Sequence, residues 1–290
     1  MRVQLIANPV AGRHAEALID EARQQLAHHG AIVELFLTGG RGDAERFAAQ
    51  GVSGGFDRIV AAGGDGTVNE VVNGMSAKSP PLAILPLGTT NVLALEIGLP
   101  QGLPAVCDLA LHGVPTAIHL GLADERRFVL MAGLGFDAQV VHEVDLRLKR
   151  RLGKGAYLAS AWRCWRSLQD RPLEIIDDRG QAHQGYGAII SNARCYGGRF
   201  SLTPTASLFA DCLQVCLVRQ PGRLALMRAG LALLSGRPLP AHWGEHFHSQ
   251  RLTVSGDGVP VQIDGDAAGA LPRVFSMNPF PIRLMLPGTK

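Results

Sequence analysis

A glycine-rich turn between a predicted strand and a predicted helix limits most strongly what this chain can fold into. The apolar run 59–62 predicts a buried strand. A helix follows, and its predicted buried face consists of Val68, Val71, Val72 and Met75. The turn itself reads Gly63, Gly64, Asp65, Gly66, Thr67 and continues into Asn69 and Glu70. Such a turn presents free N–H groups and the positive end of the helix dipole, so it suits a phosphate.

Asp65 is out of place in a simple anion site, because a carboxylate repels phosphate. It is explained if a metal ion or a hydroxyl that gives up its proton lies nearby. The alternative is an ordinary strand-to-helix turn with a solvated aspartate, since short glycine motifs are weak signals.

Two further loops follow predicted strands and support the phosphate interpretation. The apolar run 3–6 ends in Asn8-Pro9-Val10-Ala11-Gly12-Arg13, and the run 82–85 ends in Pro86-Leu87-Gly88-Thr89-Thr90-Asn91. In a parallel sheet these loops lie at the same edge, where ligands bind.

Strand and helix patterns alternate up to about residue 123, which predicts an α/β domain with a parallel sheet. The predicted strands are 3–6, 32–37, 59–62 and 82–85, and the predicted helices are 14–28, 43–49 with Asp43 as N-cap, one from Val68, 91–97 and 105–111. From about residue 115 the pattern changes. Strands are predicted at 117–122, 127–131, 173–176, 185–191, 213–218, 251–255, 261–264 and 282–286. Residues 133–137 are predicted to turn into a helical stretch that continues to about Gln169, and a further helix is predicted at 222–234.

The later, short strands predict a mainly antiparallel β-sandwich or barrel. We therefore expect residues 1–123 to form a nucleotide-binding α/β domain and residues 124–290 to form the sandwich domain. The last strand is free to pack back on the first domain.

Composition excludes several classes of protein. Hydrophobic residues make up 47% and charged residues 18% of 290, which favours a globular chain over a disordered one. A net charge of +3 does not indicate a nucleic-acid binder. Five cysteines without a CxxC pair argue against a disulfide framework. The start lacks a secretory pattern, and 224–234 is too short to cross a bilayer, so we expect a cytoplasmic protein.

The three loops together resemble the diacylglycerol kinase catalytic family, which includes bacterial lipid kinases and sphingosine kinases. The shared features are Asn8-Pro9 with Gly12, the stretch 63–67 with Asn69-Glu70, and Pro86-Leu87-Gly88-Thr89-Thr90-Asn91. The resemblance extends over nearly the whole chain. It implies that ATP contacts Thr38, residues 63–69 and Thr89, with Asn8, Gly12, Gly88 and Asn91 in the same loops and Arg13 either near the phosphates or on the surface.

The proton acceptor implied by the resemblance has two candidates. Similar bacterial lipid kinases carry Asp-Gly-Glu where this chain has Asp264-Gly265-Asp266, and their Glu is taken as the base. Asp266 stands in its place with a side chain one methylene shorter. In sphingosine kinases the aspartate of the glycine-rich turn is taken as the base, which makes Asp65 the rival. Without the resemblance, 264–266 is a β-turn with two surface acids.

A structural magnesium site is also implied by the resemblance. Asp211 would be the ligand, together with the carbonyl oxygens of Leu208 and Leu213, and hard oxygen ligands suit Mg²⁺. Cys212 replaces the glycine usual in the relatives.

The sequence thus predicts an ATP-dependent kinase that phosphorylates a lipid hydroxyl, with Mg²⁺ on the nucleotide phosphates and the lipid in the cleft between domains. The alternatives are an NAD kinase-like enzyme, which shares the glycine-rich turn, and a nucleotide-binding regulator without catalysis. The basic stretch 147–154, followed by aromatic residues, is either a contact with the inner membrane surface or a solvated helix face. The sequence leaves a homodimer open.

Overall fold

The computed structural model describes residues 1–143 and 154–288 and divides the chain into two compact units. The first unit comprises Met1–Leu120 and Pro279–Lys290, and the second comprises Gly121–Asn278.

The strands in chain order are β1 Arg2–Ala7, β2 Ile32–Leu37, β3 Arg58–Gly63, β4 Leu82–Pro86, β5 Val114–Ile118, β6 Gly121–Ala123, β7 Arg126–Phe128, β8 Met131–Leu134, β9 Leu173–Ile176, β10 Ala182–Gly185, β11 Gly187–Ser191, β12 Leu213–Val218, β13 Gly244–Ser249, β14 Arg251–Ser255, β15 Pro260–Ile263, β16 Asp266–Ala270, β17 Arg273–Met277 and β18 Ile282–Leu286. The helices are α1 Ala15–His28, α2 Asp43–Ala49, α3 Asp65–Gly74, α4 Val92–Glu96, α5 Leu103–His112, α6 Phe136–His142, α7 Lys154–Arg166 and α8 Arg223–Ser235.

The first unit contains a six-stranded sheet in the order β2-β1-β3-β4-β18-β5. The first four strands of the chain are parallel, and β18 joins β4 in parallel while β5 runs antiparallel to β18. The loops after β1, β2, β3 and β4 therefore leave the sheet at one edge. The predicted parallel α/β architecture is confirmed.

Apolar patterning explains this unit's core. Strand β3 is buried from Ile59 onward, because helices cover both faces of a parallel sheet. The predicted buried face of α3 is confirmed, since Val68, Val71, Val72 and Met75 are each at most 3% exposed.

The predicted N-cap of α2 is wrong. Gly42 holds that position with φ 86°, and Asp43 is the first helical residue. Its Oδ2 accepts hydrogen bonds from the N–H groups of Gly39 and Gly40 at 2.8 and 3.0 Å. The carboxylate thus holds the turn that precedes the helix.

The second unit is a sandwich of two six-stranded sheets, in the orders β10-β9-β14-β17-β6-β7 and β13-β12-β11-β8-β15-β16. Side chains from both sheets share one buried core, which includes Phe128, Ile175, Phe275, Val215 and Leu134. This confirms the predicted sandwich. Several elements differ from expectation. The predicted strand 117–122 is broken between β5 and β6, and the predicted strand 127–131 is divided between β7 and β8. The predicted turn from 133–137 into a helix is present, since β8 ends at Leu134 and α6 begins at Phe136, but α6 ends at His142 and α7 covers only Lys154–Arg166 of the predicted stretch to Gln169.

The basic stretch 147–154 lies almost wholly outside the described residues, so its predicted membrane contact stays a prediction. Among the described residues, the helices are all too short or too polar to cross a bilayer.

Candidate functional site

The loops at the carboxyl edge of the first sheet lie against one another with little space between backbones. A Cβ placed on Gly12 would lie 2.3 Å from the carbonyl oxygen of Leu87, and one on Gly88 would lie 2.7 Å from the Cα of Gly64. These approaches require glycine at residues 12 and 88. The loops after β1, β3 and β4 therefore form one surface, as the sequence predicted for these strand ends.

Asn8 ties the first of these loops to the glycine-rich turn. Its N–H donates to the carbonyl of Ala62 at 2.9 Å, and its Oδ1 accepts from the N–H of Val10 at 3.0 Å. Its Nδ2 lies 3.4 Å from the hydroxyl of Thr67, which is buried in the first turn of α3. Asn8 thus fixes the loop beside the amino end of α3.

The amino end of α3 is suited to bind an anion. Gly64 precedes the helix in an extended conformation, and Asp65, Gly66 and Thr67 form its first turn. The N–H groups of a first turn have no acceptor within their own helix, and they carry the positive end of its dipole. Gly66 is exposed, and a Cβ placed on it would have no atom within 4 Å apart from its chain neighbours and the backbone of its own helix. A phosphate group therefore has room to reach these amides.

Asp65 turns its carboxylate towards the next loop. Oδ2 accepts from the N–H of Val92 at 3.0 Å, and Oδ1 accepts from the N–H of Leu93 at 3.2 Å. These are the first two amides of α4, so Asp65 caps that helix across 27 residues of chain. These two hydrogen bonds explain why a carboxylate stands in the glycine-rich turn, and the sequence alone did not reveal them. Each oxygen keeps a further lone pair for a proton or a cation.

The other predicted nucleotide residues lie around the same edge. Thr38 follows β2, and its N–H donates to the carbonyl of Ala7 at 2.9 Å. Thr89 is exposed. Asn91 has φ 47° and donates from Nδ2 to the carbonyl of Gly88 at 2.7 Å.

Asn69, unlike Thr38, Thr89 and Asn91, lies inside a helix and not in a loop at the edge of the sheet. It is buried within α3, where its Oδ1 lies 3.2 Å from Nδ2 of Asn73. The structure therefore gives Asn69 a contact inside the helix.

The second predicted group of residues lies on the hairpin between β15 and β16. Ile263 pairs with Asp266 across a two-residue turn, with φ 48° at Asp264 and 85° at Gly265. Positive φ at both central residues is the geometry that Asp-Gly favours in tight hairpins. The two carboxylates diverge as a result, and Asp266 is exposed.

Asp264 is a structural residue. Its Oδ2 accepts from the N–H of Val129 at 2.8 Å, and its Oδ1 accepts from those of Leu130 and Met131 at 2.9 and 3.0 Å. All three donor residues are buried. The carboxylate thus satisfies three amides that would otherwise lack partners, and it anchors the turn that carries Asp266.

A chain of side chains that sequence reasoning missed leads to the same turn. Tyr196 donates its hydroxyl to Oδ1 of Asp137, and Gln262 donates from Nε2 to Oδ2 at 2.8 Å. Oε1 of Gln262 accepts from the N–H of Gly265 at 2.8 Å. Burial raises the pKa of Asp137 to about 6, opposed by the hydrogen bond from Gln262. The available signal was Gly135-Phe136-Asp137, a carboxylate in a helix's first turn directly after a buried strand.

The predicted structural ion site lies before β12. Asp211 is exposed, and its Oδ2 accepts from Nε2 of Gln250 at 3.1 Å. The N–H of Gln250 donates to Oδ2 of Asp178 at 2.8 Å, which brings a second carboxylate to the same glutamine. Leu208 and Leu213 are buried on either side. Within the described residues there is no group of three or more His, Cys, Asp or Glu side chains that could hold a metal.

Comparisons with known proteins identify the family to which this fold and these strand-end loops belong. Residues 2–123 match the family described as "Diacylglycerol kinase catalytic domain", and residues 131–286 match "YegS C-terminal NAD kinase beta sandwich-like domain". The chain belongs to the diacylglycerol kinase family of lipid kinases.

Individual relatives agree with this assignment. The chain is 34% identical over 247 residues to the Pseudomonas putida protein named "Probable lipid kinase YegS-like", covering 82% of each chain. It is 28% identical over 281 residues to the Bacillus subtilis diacylglycerol kinase, covering 94% of this chain and 92% of that one.

Solved structures show the same fold. A Bacillus anthracis diacylglycerol kinase superposes with a TM-score of 0.76 at 19% identity, over 98% of this chain and 96% of that one. An Archaeoglobus fulgidus NAD kinase in complex with ATP superposes with a TM-score of 0.54 at 12% identity, over 98% and 93%.

Proposed function

We propose that this protein is an ATP-dependent kinase that transfers the γ-phosphate to the hydroxyl of a diacylglycerol or a related lipid. The observation that carries the proposal is the first turn of α3, whose free amides face a surface formed by three loops with glycine at each close approach. Family membership supplies the lipid acceptor, and the ATP complex of an NAD kinase with this fold supports the nucleotide.

Phosphoryl transfer requires little covalent chemistry from the protein, because it depends on positioning the reactants and stabilising the developing charge. The amides of Asp65, Gly66 and Thr67 bind the phosphate oxygens. A magnesium ion on the nucleotide, when bound, neutralises charge that develops on those oxygens. The lipid hydroxyl oxygen forms a bond to the γ-phosphorus while the bond to the bridging oxygen breaks and ADP leaves. The hydroxyl proton passes to a carboxylate.

We propose that the carboxylate of Asp266 accepts this proton from the lipid hydroxyl. The carboxylate of Asp65 already accepts two amide hydrogen bonds, which orient it towards α4. Asp266 is exposed on a turn fixed by Asp264 and Gln262 on its amino-terminal side. An exposed carboxylate on a rigid turn is a suitable acceptor, because general bases act through fixed geometry.

A structural magnesium ion at Asp211 is part of the proposal. Its carboxylate, with the carbonyl oxygens of Leu208 and Leu213, offers the hard oxygen ligands that Mg²⁺ prefers. We further propose a cytoplasmic protein that meets its lipid at the surface of the membrane.

The test is transfer of label from γ-labelled ATP to extracted bacterial lipids, with diacylglycerol and NAD as separate acceptors. We expect a labelled phospholipid that requires ATP and Mg²⁺, and no labelled NADP. Labelled NADP would identify an NAD kinase. ATP binding without transfer to any acceptor would favour a regulator, and either result would overturn the proposal.

A further inference from the structure

Helix α8 of the sandwich unit exposes an apolar stripe that the proposed reaction does not use. Leu224, Met227, Leu231 and Leu234 are 51, 50, 57 and 67% exposed. At about 100° per residue these four side chains fall within an arc of roughly 80°, so they form one continuous face, the α8 stripe. Ala225 and Ala232 are buried on another side of the helix. The α8 stripe therefore exposes to solvent the kind of apolar side chains that helices normally pack against a core.

Basic residues border the stripe on both sides. Arg223 lies at one edge of the arc and Arg228 at the other, and both are exposed. Arg223 also donates to the carbonyl oxygens of Trp165 and Arg166 at the end of α7, which fixes the start of α8. The guanidinium of Arg228 lies 5.8 Å from the ring centre of Trp243.

The surrounding sequence strengthens the positive charge. Residues 212–244 contain no Asp or Glu, and they contain four arginines, at 219, 223, 228 and 237. Among the described residues, Asp170 accepts from the N–H of Gly222 and Glu245 lies 3.9 Å from Arg219, while Asp178 and Asp211 act on Cys212 at the start of the segment. The helix therefore combines an apolar centre with cationic borders.

We propose that the α8 stripe docks on the surface of a bilayer that contains anionic phospholipid. A helix with an apolar face and arginines at its flanks lies in the interface, with its apolar side chains at the acyl boundary and its cations on the headgroups. The proposal deepens the proposed function and rests on it, because a lipid acceptor is reached only at the membrane. A second copy of the chain fits less well. Like charges would meet, and four half-exposed side chains fall far short of the ~800 Å² per partner that a stable interface buries.

The test is co-sedimentation of the full chain with vesicles, either phosphatidylcholine alone or phosphatidylcholine mixed with phosphatidylglycerol. We expect binding to the mixed vesicles that weakens with added salt. The double variant Leu231→Gln/Leu234→Gln should lower partitioning at least about tenfold, and Arg228→Gln about fivefold. Ile32→Gln, at a 63% exposed position on the edge strand β2, is the matched control and should bind as wild type. Circular dichroism checks the fold of each variant.

Activity separates this proposal from the proposed function. The variants should phosphorylate a short-chain, water-soluble diacylglycerol at the wild-type rate and lose activity only on vesicles. Absence of transfer with either acceptor would contradict the kinase proposal while leaving the sedimentation result to decide docking. Wild-type binding by the double variant, or equal binding to both vesicle types, would overturn the docking proposal. So would a double variant that converts a dimer to a monomer in light scattering, because the stripe would then be a self-association surface.

Discussion

The hydrogen bonds of Asp264 yield a prediction whose size follows from the structure. Asp264→Asn isolates these bonds, because Asn tolerates the positive φ of 48° and Asn-Gly favours the same two-residue turn. An Asn side chain has one acceptor oxygen where Asp has two, so at most two of the three amides keep a partner. An unsatisfied buried N–H costs about 1–3 kcal/mol, and losing the charge on the acceptor adds about 1 kcal/mol. We expect the free energy of unfolding to fall by about 2–4 kcal/mol.

Urea unfolding measures this directly, provided that the slope m is the same in both proteins. Asp266→Asn is the matched control, since it makes the same chemical change two residues away at an exposed position. We expect that control to lose less than about 1 kcal/mol. If Asp264→Asn unfolds at the wild-type midpoint, the three amides do not depend on this carboxylate and the structural role assigned to Asp264 is wrong.

Three further changes test separate parts of the site. Asp65→Asn should destabilise the protein by about 1 kcal/mol through the weakened cap of α4, and it should abolish turnover because this carboxylate holds α4 against the phosphate-binding turn; a folded variant with wild-type turnover would remove Asp65 from the mechanism. Wild-type stability should decline from about pH 4 to 6 relative to Asp137→Asn. The pKa of Asp137 is about 6 in the folded protein and 3.8 ordinarily, so the wild type should lose about 3 kcal/mol of unfolding free energy across this range that Asp137→Asn does not lose; parallel pH profiles of thermal unfolding would contradict this. Asp211→Ala should lower the melting temperature and remove stabilisation by Mg²⁺, whereas equal melting temperatures with and without Mg²⁺ in both proteins would refute the ion site.

The architecture could be predicted because its signals are local. Apolar runs of four to six residues marked β1 to β4, and the spacing of Val68, Val71 and Val72 marked the buried face of α3. Strand β16 was missed because Asp266-Ala267-Ala268-Gly269-Ala270 contains none of the residues that favour strands. It forms because the tight turn at Asp264-Gly265 returns the chain along β15.

The sequence placed the loops at the carboxyl edge of the first sheet, but it did not reveal the contacts of their carboxylates. Glycines at strand ends predicted a phosphate-binding edge, since that signal lies within a few residues. The partners of the carboxylates are distant in sequence. Asp65 meets α4 27 residues later, and Asp264 meets the amides of residues 129–131 across more than 130 residues. The Tyr196–Asp137 contact likewise spans 59 residues. Single-sequence patterns contain no information about such pairs.

The most direct test of the central claim is phosphorylation of lipid by variants of Asp266, with the rate constant and the affinity for ATP measured separately. Asp266→Asn should lower kcat by about 10² to 10⁴, because a general base is lost, while ATP affinity changes little, since the proposed nucleotide residues lie on the first unit. Asp266→Glu should keep or raise activity, because it restores the side chain of the bacterial relatives. Full lipid kinase activity in Asp266→Asn would contradict the account and make Asp65 the preferred base.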